Sequence, residues 1–232
     1  LWEGRDKNKD QSYFLARLSI EQLKFARFPV GSFQKSKIRK LAQSANLPVA
    51  EKKDSQGICF LGKVKVPDFL SHYIKEKPGD IVNQSGDKVG AHLGLHRYTL
   101  GQRKGIGVPS NTDNQNYVVT GKDESTNQLI VAFDQPHEST LWAKRFGLIE
   151  ITFIDPRFNH LENIELLGKA RYRDPSTPIR LTIQSGQSGM VEFDSPQRAL
   201  TPGQILAFYE GEQLVGSAIY SLSKFGRAAL ST

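Results

Sequence analysis

Cysteine is nearly absent: the 232 residues contain one, Cys59. A single thiol excludes an internal disulfide framework and any thiolate zinc cluster built within the chain, and it fits a reducing, cytoplasmic setting. Long apolar runs are missing too. No stretch reaches the about 18 apolar residues of a membrane-spanning helix, and the opening LWEGRDKNKDQ has neither a signal peptide's apolar core nor an initiator methionine. It reads as the interior of a longer chain. Histidines at metal-ligand spacing are scarce. Only His92 and His96 form an H-x-x-x-H pair, bracketing LGL with no carboxylate or thiol nearby, so no metal ligand set is read in this chain. Internal repeats and low-complexity tracts are also lacking.

What is present is a globular composition, 38% hydrophobic, with a net charge of +7. The charge is uneven. Residues 1–65 carry 14 Lys and Arg against 6 Asp and Glu, whereas the rest of the chain carries 17 against 18. A basic excess gathered in one segment suits a polyanion-binding surface, because each neutralised phosphate releases a counterion. A solvated helical face accounts for the same charge equally well.

Periodicity divides the chain. Ser19 and Gln22 form a capping-box signal, and a helix from about Gln34 places Ile38, Leu41, Ala42 and Ala45 on one face before Asn46 and Pro48 stop it. Pro67 announces a third helix that ends at Pro78-Gly79. Strands dominate from there. GDIVNQSGDKVG has hairpin turn residues, and NYVVTGKDESTNQLIVAF is two β-rich runs around a polar turn. Between them, LHRYTLGQRKGIGV predicts a short helix and a glycine-rich turn. After Pro136, six β-prone runs separated by turn signals predict a small antiparallel barrel or sandwich.

Four stretches carry candidate chemistry. Cys59 lies in KKDSQGICFLGK, where Lys52, Lys53, Lys63 and Lys65 would lower a thiol's pKa from its usual value of about 8.5 and favour the reactive thiolate. Its apolar company ICFL equally suits a small buried hydrophobe. The loop GQRKGIG, 101–107, has glycines and cations but neither a P-loop ending nor a dinucleotide fingerprint, so a basic tight turn is the plainer reading. KDQSYF, 9–14, combines a cation, polar side chains and aromatics of the kinds that grip nucleic acid. It equally suits the first turn of an amphipathic helix with Phe14 and Leu15 in a core. KARYRD, 169–174, is predicted as strand, with Arg171 and Arg173 on one face and Tyr172 on the other.

In order along the chain, GRDKNKDQSYFLARLS, FPVG, KIRKLA, KKDSQGICFLG, FLSHYIKEKPGDI, YTLGQRKGIGV, KARYRD and TPGQILAFY resemble the bacterial-type tRNA-specific 2-thiouridylase family, also called tRNA-uridine 2-sulfurtransferases. The resemblance runs from the first residues to about Ser223. It implies ATP-dependent replacement of the C2 oxygen of a tRNA wobble uridine by sulfur. Cys59 would then carry the sulfur as a persulfide. Lys9, Asp10 and Gln11, with Arg171, Tyr172 and Gln204, would contact tRNA. The partners implied are the tRNA anticodon arm and a persulfide sulfur-donor protein, with Mg-ATP used by the full-length enzyme.

The departures are specific. The family's SGGVDS-like phosphate loop and its second catalytic cysteine are not in this sequence, so the chain is expected to be the C-terminal two-thirds of such an enzyme and inactive alone. The fold expected is α+β and multidomain: residues 1–64 a helical remnant of an α/β ATP pyrophosphatase domain, 65–138 a small central α+β domain, and 139–232 an antiparallel β-barrel that binds tRNA. Two other readings remain open at this point. One is a noncatalytic RNA-binding protein with a structural cysteine, the other a barrel module that docks proteins.

Overall fold

The computed structural model describes residues 1–52, 69–70, 72–109, 115–135, 141–184 and 186–221. Cys59, with Lys53, Lys63, Lys65 and Pro67, lies outside the described residues. The fold is α+β, and the chain gathers into two compact units, Leu1–Lys52 with Ala143–Thr232, and Lys53–Trp142.

In the first unit the capping box forms as the sequence predicts: Gln22 N–H donates to Ser19 Oγ at 3.3 Å, and Ser19 N–H donates to Gln22 Oε1 at 2.9 Å. It opens the short helix α1 (Ile20–Phe25). Helix α2 (Lys35–Ser44) follows and ends where Asn46 turns left-handed at φ 52°, a conformation asparagine tolerates. Neither helix buries a residue, and Phe25 is 86% exposed.

The expected barrel is present and closed. Its strands are β5 (Trp142–Phe153), β6 (Asn163–Lys169), β7 (Thr177–Ile183), β8 (Gly189–Arg198), β9 (Ile205–Glu210) and β10 (Gln213–Tyr220), in the order β10-β5-β8-β7-β6-β9. Alternation along each strand sends every second side chain inward, and Leu181, Val191, Phe193, Leu206, Phe208 and Val215 fill the interior. Burying each such side chain stabilises the fold by about 1.5–3 kcal/mol. The β9–β10 hairpin turns on Gly211, whose φ of 60° suits its two-residue loop.

One correction follows from β6. It stops at Lys169, so Arg171, Tyr172 and Arg173 lie in a turn rather than on a strand, and their side chains do not alternate between faces. Arg173 takes φ 71°, a left-handed conformation that breaks the extended run.

Strand β9 is buried on both faces because the first sixteen residues pack on its outer side. Ala207 and Tyr209 point outward, yet they are fully buried with Ala16 and Leu214 in a second apolar cluster. The segment is pinned along its length. Leu214 N–H donates to Leu1 O at 2.7 Å, Glu3 N–H to Glu212 O at 2.9 Å, and Ser217 Oγ to Ala16 O at 2.7 Å. Arg17 continues the attachment, donating to the carbonyl of Glu150 at 2.7 Å and to its carboxylate at 2.6 Å, at a residue of β5 with φ 50°.

The second unit is built on a four-stranded sheet in the order β2-β1-β4-β3. The predicted hairpin is β1 (Gly79–Val82) with β2 (Lys88–His92), and the two later runs are β3 (Tyr117–Asp123) and β4 (Gln128–Phe133). Strands β1 and β4 pair in parallel, Ile81 opposite Leu129. Ile81, Val119, Leu129 and Val131 join Tyr98 and Ile106 in its core. His92 is buried there with its Nε2 3.0 Å from Asn127 O.

Candidate nucleic-acid interface

Three of the sequence blocks that point to RNA meet at one place on the barrel unit. The meeting starts from Asp10. Its Oδ1 accepts from Gly4 N–H at 2.8 Å and Ser12 N–H at 3.2 Å, while Oδ2 accepts from Ser12 Oγ at 2.7 Å. An Asx-type turn of this kind draws the carboxylate inward, and Asp10 is only 8% exposed. Burial works to raise its pKa, but the hydrogen bonds from Gly4 and Ser12 and the charge of Lys169 carry it below the ordinary carboxylate value.

Ser12 Oγ also lies 2.9 Å from the hydroxyl of Tyr209. Because the serine's one proton is given to Asp10, the tyrosine is the donor in that pair. Burial pushes the Tyr209 phenol upward and keeps it protonated. Lys169 completes the cluster, with Nζ 4.9 Å from the Tyr209 ring centre, 2.5 Å from Glu3 and 3.7 Å from Asp10.

The turn Ser12–Leu15 then divides its side chains by direction. Ser12 and Ala16 are buried, Tyr13 is half-buried and donates its hydroxyl to Ile205 O at 2.8 Å, and Phe14 is 58% exposed. Phe14 is therefore not in a core, in contrast with the helical reading of KDQSYF. Hydrogen bonding of its neighbours to the barrel at 205 and 209 leaves it only the outward direction. Its ring centre is 4.3 Å from that of Tyr172, and Tyr13 is 6.2 Å from Tyr172.

Across from this turn, the Arg171 guanidinium donates to Arg198 O at 2.7 Å and to Ala199 O, spanning a bend in which Ala199 has φ 51°. Arg173 lays its guanidinium 5.3 Å from the Tyr172 ring centre. Gln204 accepts from Thr201 N–H at 3.3 Å through its side chain and from Tyr220 N–H at 2.9 Å through its carbonyl. Lys9, Asp10 and Gln11 thus stand at the start of the turn, Tyr172 beside it and Gln204 next to the residue Tyr13 grips. Lys9 and Gln11 are exposed, whereas Asp10 is occupied internally.

The sequence reading missed the Asp10–Ser12–Tyr209 network and the Tyr13 anchor. The Asp-x-Ser spacing was a visible signal for the first half. Its partner, 197 residues away, was not.

In the second unit, the 101–107 loop is closed on itself. Gly101 N–H donates to Val119 O at 2.8 Å, Gln102 accepts from Thr99 N–H and donates to Lys104 O, both at 3.0 Å, and Arg103 is paired with Asp134. The Gln102 side chain and the Arg103 guanidinium are thereby engaged within the unit.

Fold and site together define an α+β protein whose C-terminal closed barrel carries a basic and aromatic surface built partly by an N-terminal segment. Three family models match it in succession: a tRNA methyl transferase HUP domain over residues 1–63, a tRNA methyl transferase PRC-barrel domain over 67–133, and an aminomethyltransferase beta-barrel domain over 144–220. The chain is 42% identical over 219 residues to the tRNA-specific 2-thiouridylase MnmA of Akkermansia muciniphila, covering 94% of this chain and 60% of the relative. The corresponding proteins of Ligilactobacillus salivarius and Staphylococcus aureus are 40% and 39% identical, with 94% and 93% of this chain aligned to 58% of each. The chain belongs to the tRNA-specific 2-thiouridylase family, and it spans about 60% of the length of the curated relatives it matches.

Proposed function

We propose that this chain is the sulfur-carrying and tRNA-holding part of an enzyme that replaces the C2 oxygen of a tRNA wobble uridine with sulfur. The observation that carries this reading is the similarity to thiouridylases along 94% of the chain, across all three segments at once. The family-model descriptions speak of methyl transfer, but the relatives aligned over 93–94% of the chain are the more specific comparison.

Cys59 takes up the sulfur. Its thiolate attacks the outer sulfur of a persulfide on a donor protein. A new S–S bond forms at Cys59, the donor's S–S bond breaks, and the donor leaves as a thiolate. Freeing that outer sulfur for the uridine by attack of a second thiol on the Cys59 sulfur, which forms a protein disulfide as the Cys59 bond to the outer sulfur breaks, needs another cysteine, and this sequence has one. ATP-dependent activation of the uridine likewise belongs to the remaining length of the whole enzyme. The setting is cytoplasmic.

Lys9, Gln11, Arg171, Tyr172 and Gln204 form the tRNA contact. Asp10 serves it indirectly, by fixing the turn on which its neighbours stand. In the protein as cells make it, Cys59→Ser removes 2-thiouridine from tRNA, read by mass spectrometry of nucleosides, while tRNA affinity stays within about twofold. Persistence of the thiolated nucleoside in that variant would refute the sulfur-carrier role.

A further inference from the structure

We infer that Phe14, braced by Tyr172, is a stacking platform for one unpaired nucleobase of the bound RNA; the inference rests on the tRNA reading above. Phe14 is 58% exposed, yet it does not sit on a loose loop tip. Its own N–H donates to Gln11 O at 3.0 Å, and the residues around it are tied to the barrel through Ser12 to Tyr209, Tyr13 to Ile205 and Ala16 to Ser217. A ring held outward in this way loses little conformational freedom when a ligand arrives.

The geometry leaves one side of the ring available. Tyr172 approaches at 4.3 Å with the planes inclined at 46°, and Tyr13 meets Phe14 edge-on at 5.8 Å. These two support the ring from the barrel side without sandwiching it. A flat, π-faced group is what fits against the open face, and every nucleobase presents one.

Charge selects nucleic acid over an apolar partner. Arg173 lies over Tyr172, Arg171 in the same turn is held by two carbonyls, and the one acidic residue of that turn, Asp174, is half-buried. An exposed cation on the ring that braces Phe14 provides for a phosphate next to a stacked base. Phe14 itself touches no phosphate in this arrangement, so its contribution is independent of salt, whereas that of Arg173 is not.

The test compares an RNA hairpin with an unpaired loop and a fully paired duplex of the same length, by fluorescence anisotropy across a salt series. Phe14→Leu weakens hairpin binding about tenfold, with the salt slope and melting temperature unchanged, and barely affects the duplex. Phe14→Trp keeps the affinity, and its emission is quenched by the hairpin and not by the duplex. Arg173→Ala lowers the salt slope instead. If the parent chain binds the hairpin and Phe14→Leu binds it equally well, the platform is overturned and the tRNA reading stands. If the parent binds neither RNA, both fall together.

Discussion

The hydroxyl of Tyr209, on the outer face of β9, donates to Ser12 Oγ across 2.9 Å, and Ser12 in turn donates to Asp10. The relay joins two residues 197 positions apart and fixes the direction of the turn that carries Phe14. A surface that reads in sequence as a string of polar contacts is thereby organised from beneath.

Removing the carboxylate should loosen that turn. Asp10→Ala leaves the N–H groups of Gly4 and Ser12 without their acceptor, at a cost of about 2 kcal/mol, because buried donors lose their partner and regain no water. Urea unfolding of the parent and variant measures it as a lower midpoint. Hairpin affinity falls in the same variant, since Phe14 loses its fixed direction.

The same group sets an acid limit. The Asp10 pKa is depressed in the folded state, so its contribution is fully present above the unfolded value of about 3.9 and is lost as pH falls through the lower folded value. Stability should therefore decline more steeply below about pH 4 in the parent than in Asp10→Asn. Equal slopes in parallel urea titrations at descending pH would contradict this assignment.

Arg171 and lysine are not interchangeable. One nitrogen, Nη2, donates to two successive carbonyls, at 198 and 199, from the end of a rigid planar group, and the shorter lysine stem does not carry its ammonium to that point in a fixed orientation. Arg171→Lys should cost about 1 kcal/mol and weaken RNA binding despite keeping the charge. Affinity retained at the parental level would assign Arg171 to the phosphate contact alone.

A fourth prediction concerns the second unit. A Cβ at Gly79 would collide with the Asn127 carbonyl and approach His92 Nε2, in a strand pair with backbone on one side and a buried ring on the other. Gly79→Ala should destabilise that unit by about 2 kcal/mol or more. Hydrogen exchange would show it as lost protection in β1 and β4.

Much of the architecture was legible because it rests on local chemistry. Ser19 and Gln22 announced α1, the turn residues around Gly86 announced the β1–β2 hairpin, and six short β-prone runs announced the barrel. Three features were not legible, each for a physical reason. Arg173 adopts a left-handed conformation usually left to glycine or asparagine, so the break in the extended run came earlier than the turn residues Asp174, Pro175 and Ser176 that mark it in sequence. Phe14 looks like a core residue by type and is turned outward by hydrogen bonds of its neighbours. Asp10 looks like a surface charge and is drawn inward by Ser12 and Tyr209. The site was found through the order of its blocks, while the roles within it depend on contacts between distant strands.

The strap formed by residues 1–16 also bears on solubility. Without it, Ala207, Tyr209 and Leu214 would form an apolar patch beside strand edges at Leu214 and Gln213 that now pair with Leu1 and Trp2. Bare sheet of that kind recruits other strands. A barrel expressed without its first sixteen residues should self-associate, and restoring them as a separate peptide should return it to monodispersity.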